Sequence, residues 1–221
     1  MVDAHGPLTD RSGQEVPPPP DTPDARVPTR ERILYASAEL FRRQGYAGTG
    51  LKQIAAESEA TLGSVYHFFP GGKEHLADEV LRTGGRFFLA LYEAIADGAP
   101  DLVSAVRDFF AGVGQTLVAT EFADACPIAT VAGEIASTHE VLRVATADVF
   151  ESWLGALAED AVEAGVPAAI ARALALSVLA VLEGAFLLSR SLRSVEPMHA
   201  ASDAAVALVA GALAASGEVE A

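Results

Sequence analysis

Between Thr49 and Phe69 the sequence reads as two short helical segments joined by Ser58, Glu59 and Ala60, and no other stretch restricts the fold as much. Helices this short have no stability of their own in water, so they must be packed onto neighbouring elements. Thr49 stands where an N-cap opens the first, which runs to about Glu57 with Ile54 facing inward, and Thr61 stands where one opens the second. Two short helices with a three-residue turn make a helix-turn-helix, a unit that lays its second helix in the DNA major groove. In that arrangement Ala55 provides the close helix contact, and Ala60, Val65 and Phe69 anchor the second helix. Thr61, Leu62, Gly63, Ser64, Tyr66 and His67 remain for DNA, with Gly63 allowing close backbone approach.

The flanking pattern is helical throughout. Upstream, Thr29 caps a helix in which Ile33, Ser37, Leu40, Phe41 and Gln44 share a face and Gly45 is the stop. Downstream, Pro70, Gly71 and Gly72 break the chain before Lys73 begins a long helix carrying Leu76, Val80, Phe87, Leu91 and Ile95. Further helices are predicted over about 101–119, 127–136, 139–164, 168–192 and 198–215, punctuated by Pro100, the Cys126/Pro127 pair, Gly165 with Pro167, and Pro197. No useful alternating strand pattern and no internal repeat interrupts them. The expected fold is all-α: a three-helix helix-turn-helix domain over 27–82, then a helical bundle over 83–221.

Charge separates these parts. The 221 residues carry a net −15, which excludes a wholly basic nucleic-acid coat, but the acids lie mainly in the C-terminal part: residues 83–221 hold six bases against 18 acids. Residues 27–56 are locally basic, with Arg30, Arg32, Arg42, Arg43 and Lys52 against Glu31 and Glu39. Residues 1–26 contain six prolines and few large apolar groups, the composition of a disordered arm. The single cysteine, Cys126, cannot form an internal disulfide, and no cysteine/histidine cluster suggests a metal. The opening residues lack a secretory signal, and the most apolar run, 173–188, is shorter than the roughly 18 to 20 residues of a bilayer span and contains Glu183. A buried helix in a cytoplasmic protein without a membrane contact is the expectation.

Enzyme signatures are absent: there is no HExxH or GxSxG, and Gly71, Gly72 and Lys73 lack phosphate-loop spacing. The five histidines, at 5, 67, 75, 139 and 199, are scattered, so neither a metal nor a cofactor is called for. In 83–221 there are 35 alanines among Leu and Val, which lets helices approach closely. The helix over 168–192 is apolar on more than one face, a pattern that asks for burial both within its own domain and against a second copy. A candidate effector pocket gathers Phe87, Leu91, Phe109, Phe110, Val113, Cys126, Trp153 and Phe186 around one polar anchor, Glu183. Glu183 instead serves as an internal hydrogen-bonding or ion-pairing group if no ligand enters.

Residues 30–81 resemble the N-terminal domain of TetR/AcrR-family regulators. The shared parts, in order, are ILxxAxxLF, GY, Thr49, IA, the Gly63–Tyr66–His67–Phe69 recognition helix, and Lys73 opening the fourth helix. FPGGKEHL, CPIATVAGE (Cys126 to Glu134) and LEGAFLLSR (Leu182 to Arg190) are similar to the LmrA/YxaF-like branch. The resemblance implies a homodimer held by the last two long helices on a double-stranded, palindromic DNA operator. It also implies repression of efflux or resistance genes, relieved by a small lipophilic or aromatic effector. Tyr66, His67 and Lys73 match family positions that touch the DNA backbone or base edges, Thr49 and Thr61 lie at helix N-termini suited to phosphate, and Lys52 adds local positive charge. Two residues depart from the family pattern. Glu59 occupies a turn position that calls for left-handed backbone, at a cost of about 1 kcal/mol, and Leu62 replaces a polar base reader. A DNA-binding regulator whose C-terminal domain only dimerises or contacts protein is the competing expectation.

Overall fold

A computed structural model of the chain describes residues 8–16, 27–123 and 125–217. Among them the order is β1 (Leu8–Thr9), β2 (Glu15–Val16), α1 (Thr29–Gln44), α2 (Leu51–Glu57), α3 (Leu62–Phe68), α4 (Gly72–Gly98), α5 (Leu102–Ala119), α6 (Pro127–Ile135), α7 (Glu140–Glu163), α8 (Ala168–Leu192) and α9 (Glu196–Gly217). The all-α architecture read from the sequence is the one observed. Two compact units share it: Gly13–Phe88 with Cys126–Val149, and Leu89–Ala125 with Phe150–Ala221, the latter including Asp10–Ser12. The break expected between 82 and 83 therefore falls inside α4, and α6 with the first part of α7 joins the helix-turn-helix. The reason is packing of α6 on α1, a contact between residues far apart in sequence.

In the first unit the helix boundaries follow local chemistry. Pro28, not Thr29, is the N-cap of α1; its carbonyl accepts from the Arg32 amide at 3.0 Å, and Thr29 is already helical. The helix ends at Gly45, whose φ of 76° would strain any side chain. Gln44 is exposed rather than on the buried face; its amide braces the next turn by donating to the Gly48 carbonyl at 3.1 Å and to Thr49 Oγ1 at 3.2 Å. Gly50, not Thr49, is the N-cap of α2. For α3 the expected cap is present: Thr61 Oγ1 accepts from the Ser64 amide at 3.0 Å. Glu59 adopts the left-handed backbone predicted for it, with φ 51°. The turn around it is held from α1, because the Arg32 guanidinium donates to the carbonyls of Ser58 at 3.1 Å and Glu59 at 3.3 Å.

In the second unit α9 packs on both α5 and α8. The core runs through Leu102, Phe110, Leu117, Leu154, Leu174, Leu182, Met198 and Val209. Small residues permit the approach: a Cβ on Gly114 of α5 would meet Val195 at 3.3 Å and Met198 at 3.6 Å. α5 is capped by Asp101, which accepts from the Ser104 amide at 2.7 Å. By length and composition α5, α8 and residues 196–215 of α9 could each cross a membrane. α8 buries one face within the unit, through Ala171, Leu174, Ala175, Val178, Leu182, Ala185 and Ser189, and leaves Ile170, Leu176, Leu187, Leu188 and Leu192 exposed.

Part of the arm expected to be disordered is ordered here. Residues 8–16 form the antiparallel hairpin of β1 and β2, and Arg11 docks on α4 and α7. Its guanidinium donates to Asp97 at 2.8 Å and Asp160 at 2.6 Å, and its amide to Glu93 at 3.0 Å. Asp160 also accepts from the Tyr92 hydroxyl at 2.7 Å. Composition misses this because one guanidinium satisfied by two carboxylates needs no apolar neighbours. Residues 1–7 and 17–26 of the expected arm lie outside the described residues.

The strain at Glu59 can be measured. Glu59→Gly removes the left-handed penalty and no side-chain hydrogen bond or ion pair among the described residues, so the protein should gain about 1 kcal/mol, or about 2–4 °C in the thermal midpoint. An unchanged or lower midpoint would show that the turn carries no such strain.

Candidate nucleic-acid interface

The two sides of α3 differ sharply. Val65 and the C-cap residue Phe69 are fully buried, which locks a seven-residue helix to the first unit's core beside Ile33, Phe41 and Ile54, all fully buried as well. On the other side Thr61, Gly63, Tyr66 and His67 are exposed, and Leu62 and Ser64 are half-buried. Tyr66 leaves 49% of its surface in solvent, unusual for an aromatic that packing could have hidden. The predicted set on α3 therefore comes together as one surface of hydroxyls, a phenol and an imidazole beside a bare backbone.

Thr49 is a correction. It is 2% exposed and donates its hydroxyl to the Gly45 carbonyl at 2.8 Å, so its side chain braces the turn between α1 and α2 and does not face a phosphate. Lys52, on α2, is exposed and holds no ion pair among the described residues. The other cations of the basic stretch are engaged. Arg30 pairs with Glu79 and lies 5.4 Å over the Phe69 ring, Arg32 holds the turn, and Arg42 and Arg43 both pair with Glu39. Local positive charge in the sequence thus became structural support more than free charge.

Lys73 stands at the start of α4, half-buried, with its ammonium 4.1 Å above the ring of Tyr46. Tyr46 is itself 8% exposed and flanked by Phe41 at 5.8 Å and, edge-on, His139 at 5.3 Å. Burial lowers the Lys73 pKa, and the nearby Glu134 carboxylate opposes that shift. Glu134, in the last turn of α6, accepts the Ala47 amide at 2.8 Å. Sequence reasoning assigned no structural role to Arg32, Tyr46 or Glu134, whose contacts with the Ser58 carbonyl, the Lys73 ammonium and the Ala47 amide join residues 26 or more positions apart, beyond the reach of any local pattern.

The candidate effector residues divide. Phe87 on α4 and Cys126, the N-cap of α6, belong to the first unit; Cys126 is buried and its sulfur accepts the Ala129 amide at 3.4 Å. Leu91, Phe109, Phe110, Val113, Trp153, Glu183 and Phe186 belong to the second. Phe110 is core, while Phe109, Val113 and Phe186 are partly buried against it, and Phe109 meets Tyr92 edge-on at 5.7 Å. Trp153 pairs with Phe150 at 5.7 Å, and Glu183 is half-buried one turn before Phe186. An open groove of about 460 Å³ between α5 and α9 takes only Phe110 from the predicted set; Arg107, Gln115, Met198 and His199 also line it.

Comparison with known proteins agrees with this geometry. Residues 33–80 match the bacterial regulatory proteins of the tetR family, and residues 103–204 match the C-terminal domain of LmrA/YxaF-like transcriptional regulators. The second match spans nearly all of α5, all of α8 and the first turns of α9, so the membrane-like composition of α5 and α8 belongs to a regulator's domain. The chain is 35% identical to the HTH-type transcriptional regulator YxaF of Bacillus subtilis, over 79% of this chain and 91% of that one. It is 32% identical to HTH-type transcriptional regulator LmrA of the same organism, over 77% and 90%. A TetR transcriptional regulator from Legionella pneumophila has the same fold, with a TM-score of 0.74 at 20% identity over 81% of this chain and 96% of that one. These relatives are regulators, not enzymes. The chain belongs to the TetR family of helix-turn-helix transcriptional regulators, in its LmrA/YxaF-like branch.

Proposed function

We propose that the protein is a cytoplasmic repressor that binds a palindromic operator as a homodimer and is released by a small lipophilic or aromatic effector. The observation that carries the reading is the solvent-facing side of α3, where Thr61, Gly63, Tyr66 and His67 stand together over a buried Val65 and Phe69. A hydroxyl, a phenol and an imidazole at this spacing suit phosphate oxygens and base edges, Gly63 permits close approach, and Leu62 suits a thymine methyl. Ser64 adds a further hydroxyl, while Lys52 and Lys73 provide cations nearby. The branch resemblance supports control of efflux or resistance genes.

The exposed leucines of α8, together with Leu208 of α9, support self-association, since apolar residues repeated along long helices favour burial against an identical face. A two-fold dimer matches half-sites about 34–36 Å apart, or a multiple of that spacing. Within the second unit, Leu91, Phe109, Val113, Trp153 and Phe186 suit an aromatic or lipophilic compound, with Glu183 as a polar contact; Phe110 supports them from the core.

A labelled titration on DNA upstream of its own gene and neighbouring genes, against unrelated competitor at two salt concentrations, tests the regulator reading. Binding should saturate, resist competitor and weaken with salt; binding lost equally to any DNA would count against it. Lys73→Ala should weaken binding uniformly and make the salt slope shallower by about one unit.

Association has its own test. Leu187→Asp with Leu192→Asp places charge on positions 68% and 66% exposed in the single chain, so folding should persist while sedimentation shifts from dimer to monomer. A dimer unaffected by both changes would move the interface elsewhere. Glu183→Gln should leave operator affinity intact and alter release by aromatic compounds followed through Trp153, the sole tryptophan. Release identical to that of the unaltered protein would remove Glu183 from the site.

A further inference from the structure

The CPIATVAGE stretch forms α6, and its last residue makes the contact that ties this helix to the turn after α1. Glu134 lies in the last turn of α6, where the helix dipole disfavours a carboxylate. Its partners account for its presence. Oε2 accepts the Ala47 amide at 2.8 Å, and the carboxylate occupies the space a side chain at position 45 would need: a Cβ there would fall 1.7 Å from Oε1. Gly45 is thus required both by its φ of 76° and by the carboxylate seated over it. Between Gly45 and Ala47 lies Tyr46, whose ring is the platform under the Lys73 ammonium.

Two more contacts close the platform. His139, between α6 and α7, meets the Tyr46 ring edge-on and lies 3.7 Å from Glu74, the neighbour of Lys73. Thr49 ties its hydroxyl back to Gly45, so the turn is braced from its own side as well. The carboxylate also attracts the Lys73 ammonium, in part offsetting the desolvation that burial imposes.

We infer that Glu134 is a positioning residue for Lys73, holding the Gly45–Ala47 turn so that the Tyr46 ring presents the lysine ammonium to a DNA phosphate. The inference rests on the DNA-binding reading above and adds that one hydrogen bond from α6 sets the strength of a backbone contact. A displacement of α6 that broke the Ala47 bond would weaken grip on DNA without altering α3.

The test compares Glu134→Gln with Glu134→Ala in the full chain. Both remove the negative charge, which by itself favours DNA, but only glutamine keeps an oxygen for the Ala47 amide. The probe is a labelled random-sequence duplex titrated across salt concentrations, with hydrogen exchange at Ala47 and a thermal midpoint for each variant. Glu134→Gln should keep Ala47 protected and keep the salt slope of the unaltered protein. Glu134→Ala should lose protection at Ala47 and become shallower by about one unit, as Lys73→Ala does, and the double variant should be no shallower than either.

Equal slopes for Glu134→Ala and Glu134→Gln, with Lys73→Ala shallower, would overturn the positioning role and leave the DNA reading intact. An unchanged slope in Lys73→Ala would overturn the lysine contact and the positioning role with it. If the unaltered protein showed no salt-sensitive duplex binding, the regulator reading would fail first and this inference would fail with it.

Discussion

A helix of seven residues cannot hold its shape or place in water unaided, so everything the first unit offers to DNA depends on the burial of Val65 and Phe69. These side chains convert a marginal helix into a fixed one, aligned with the core that also buries Ile33, Phe41 and Ile54. The remaining supports are polar and act at the ends: Thr61 caps the helix, and Arg32 holds two carbonyls of the preceding turn. Such an anchor leaves the opposite face free of packing duties. That freedom is why Tyr66 and His67 can be exposed without a cost in stability.

Much of this was legible because it is local. The cap at Thr61 and the anchors Val65 and Phe69 each follow from residues within a few positions of one another, while the left-handed turn at Glu59 was legible through the family resemblance. Thr29 and Thr49 misled for a physical reason: a threonine before an apolar run looks the same whether its hydroxyl caps forward or bonds back to the carbonyl four residues earlier, as Thr49 does with Gly45. The basic stretch misled differently. Charge counts ignore pairing, and Arg42 and Arg43 are matched within their own helix by Glu39.

What stayed hidden is contact at long sequence separation. Nothing near Glu134 announces Ala47, and nothing near Tyr46 announces Lys73, yet these pairs link α6 to the cation at the start of α4. The effector residues were hard to read for a related reason. Aromatics dispersed over four helices have the same composition whether they fill a core, as Phe110 does, or stand half-buried at its edge, as Phe109 and Phe186 do. Helical periodicity identifies an inward face, and it does not say whether that face meets protein or a ligand.

The docking of Arg11 gives the start of the chain an electrostatic duty in the second unit. Glu93, Asp97 and Asp160 all bond to that one residue, the last two to its guanidinium, and Glu93 is 8% exposed. Shortening the chain to begin at Val27 would leave Asp97 and Asp160 without the cation that bridges them and Glu93 without its amide donor. Tyr92, which shares Asp160 and touches Phe109, would feel that change directly, so a trimmed chain is a poor stand-in for the whole one in any study of ligand response.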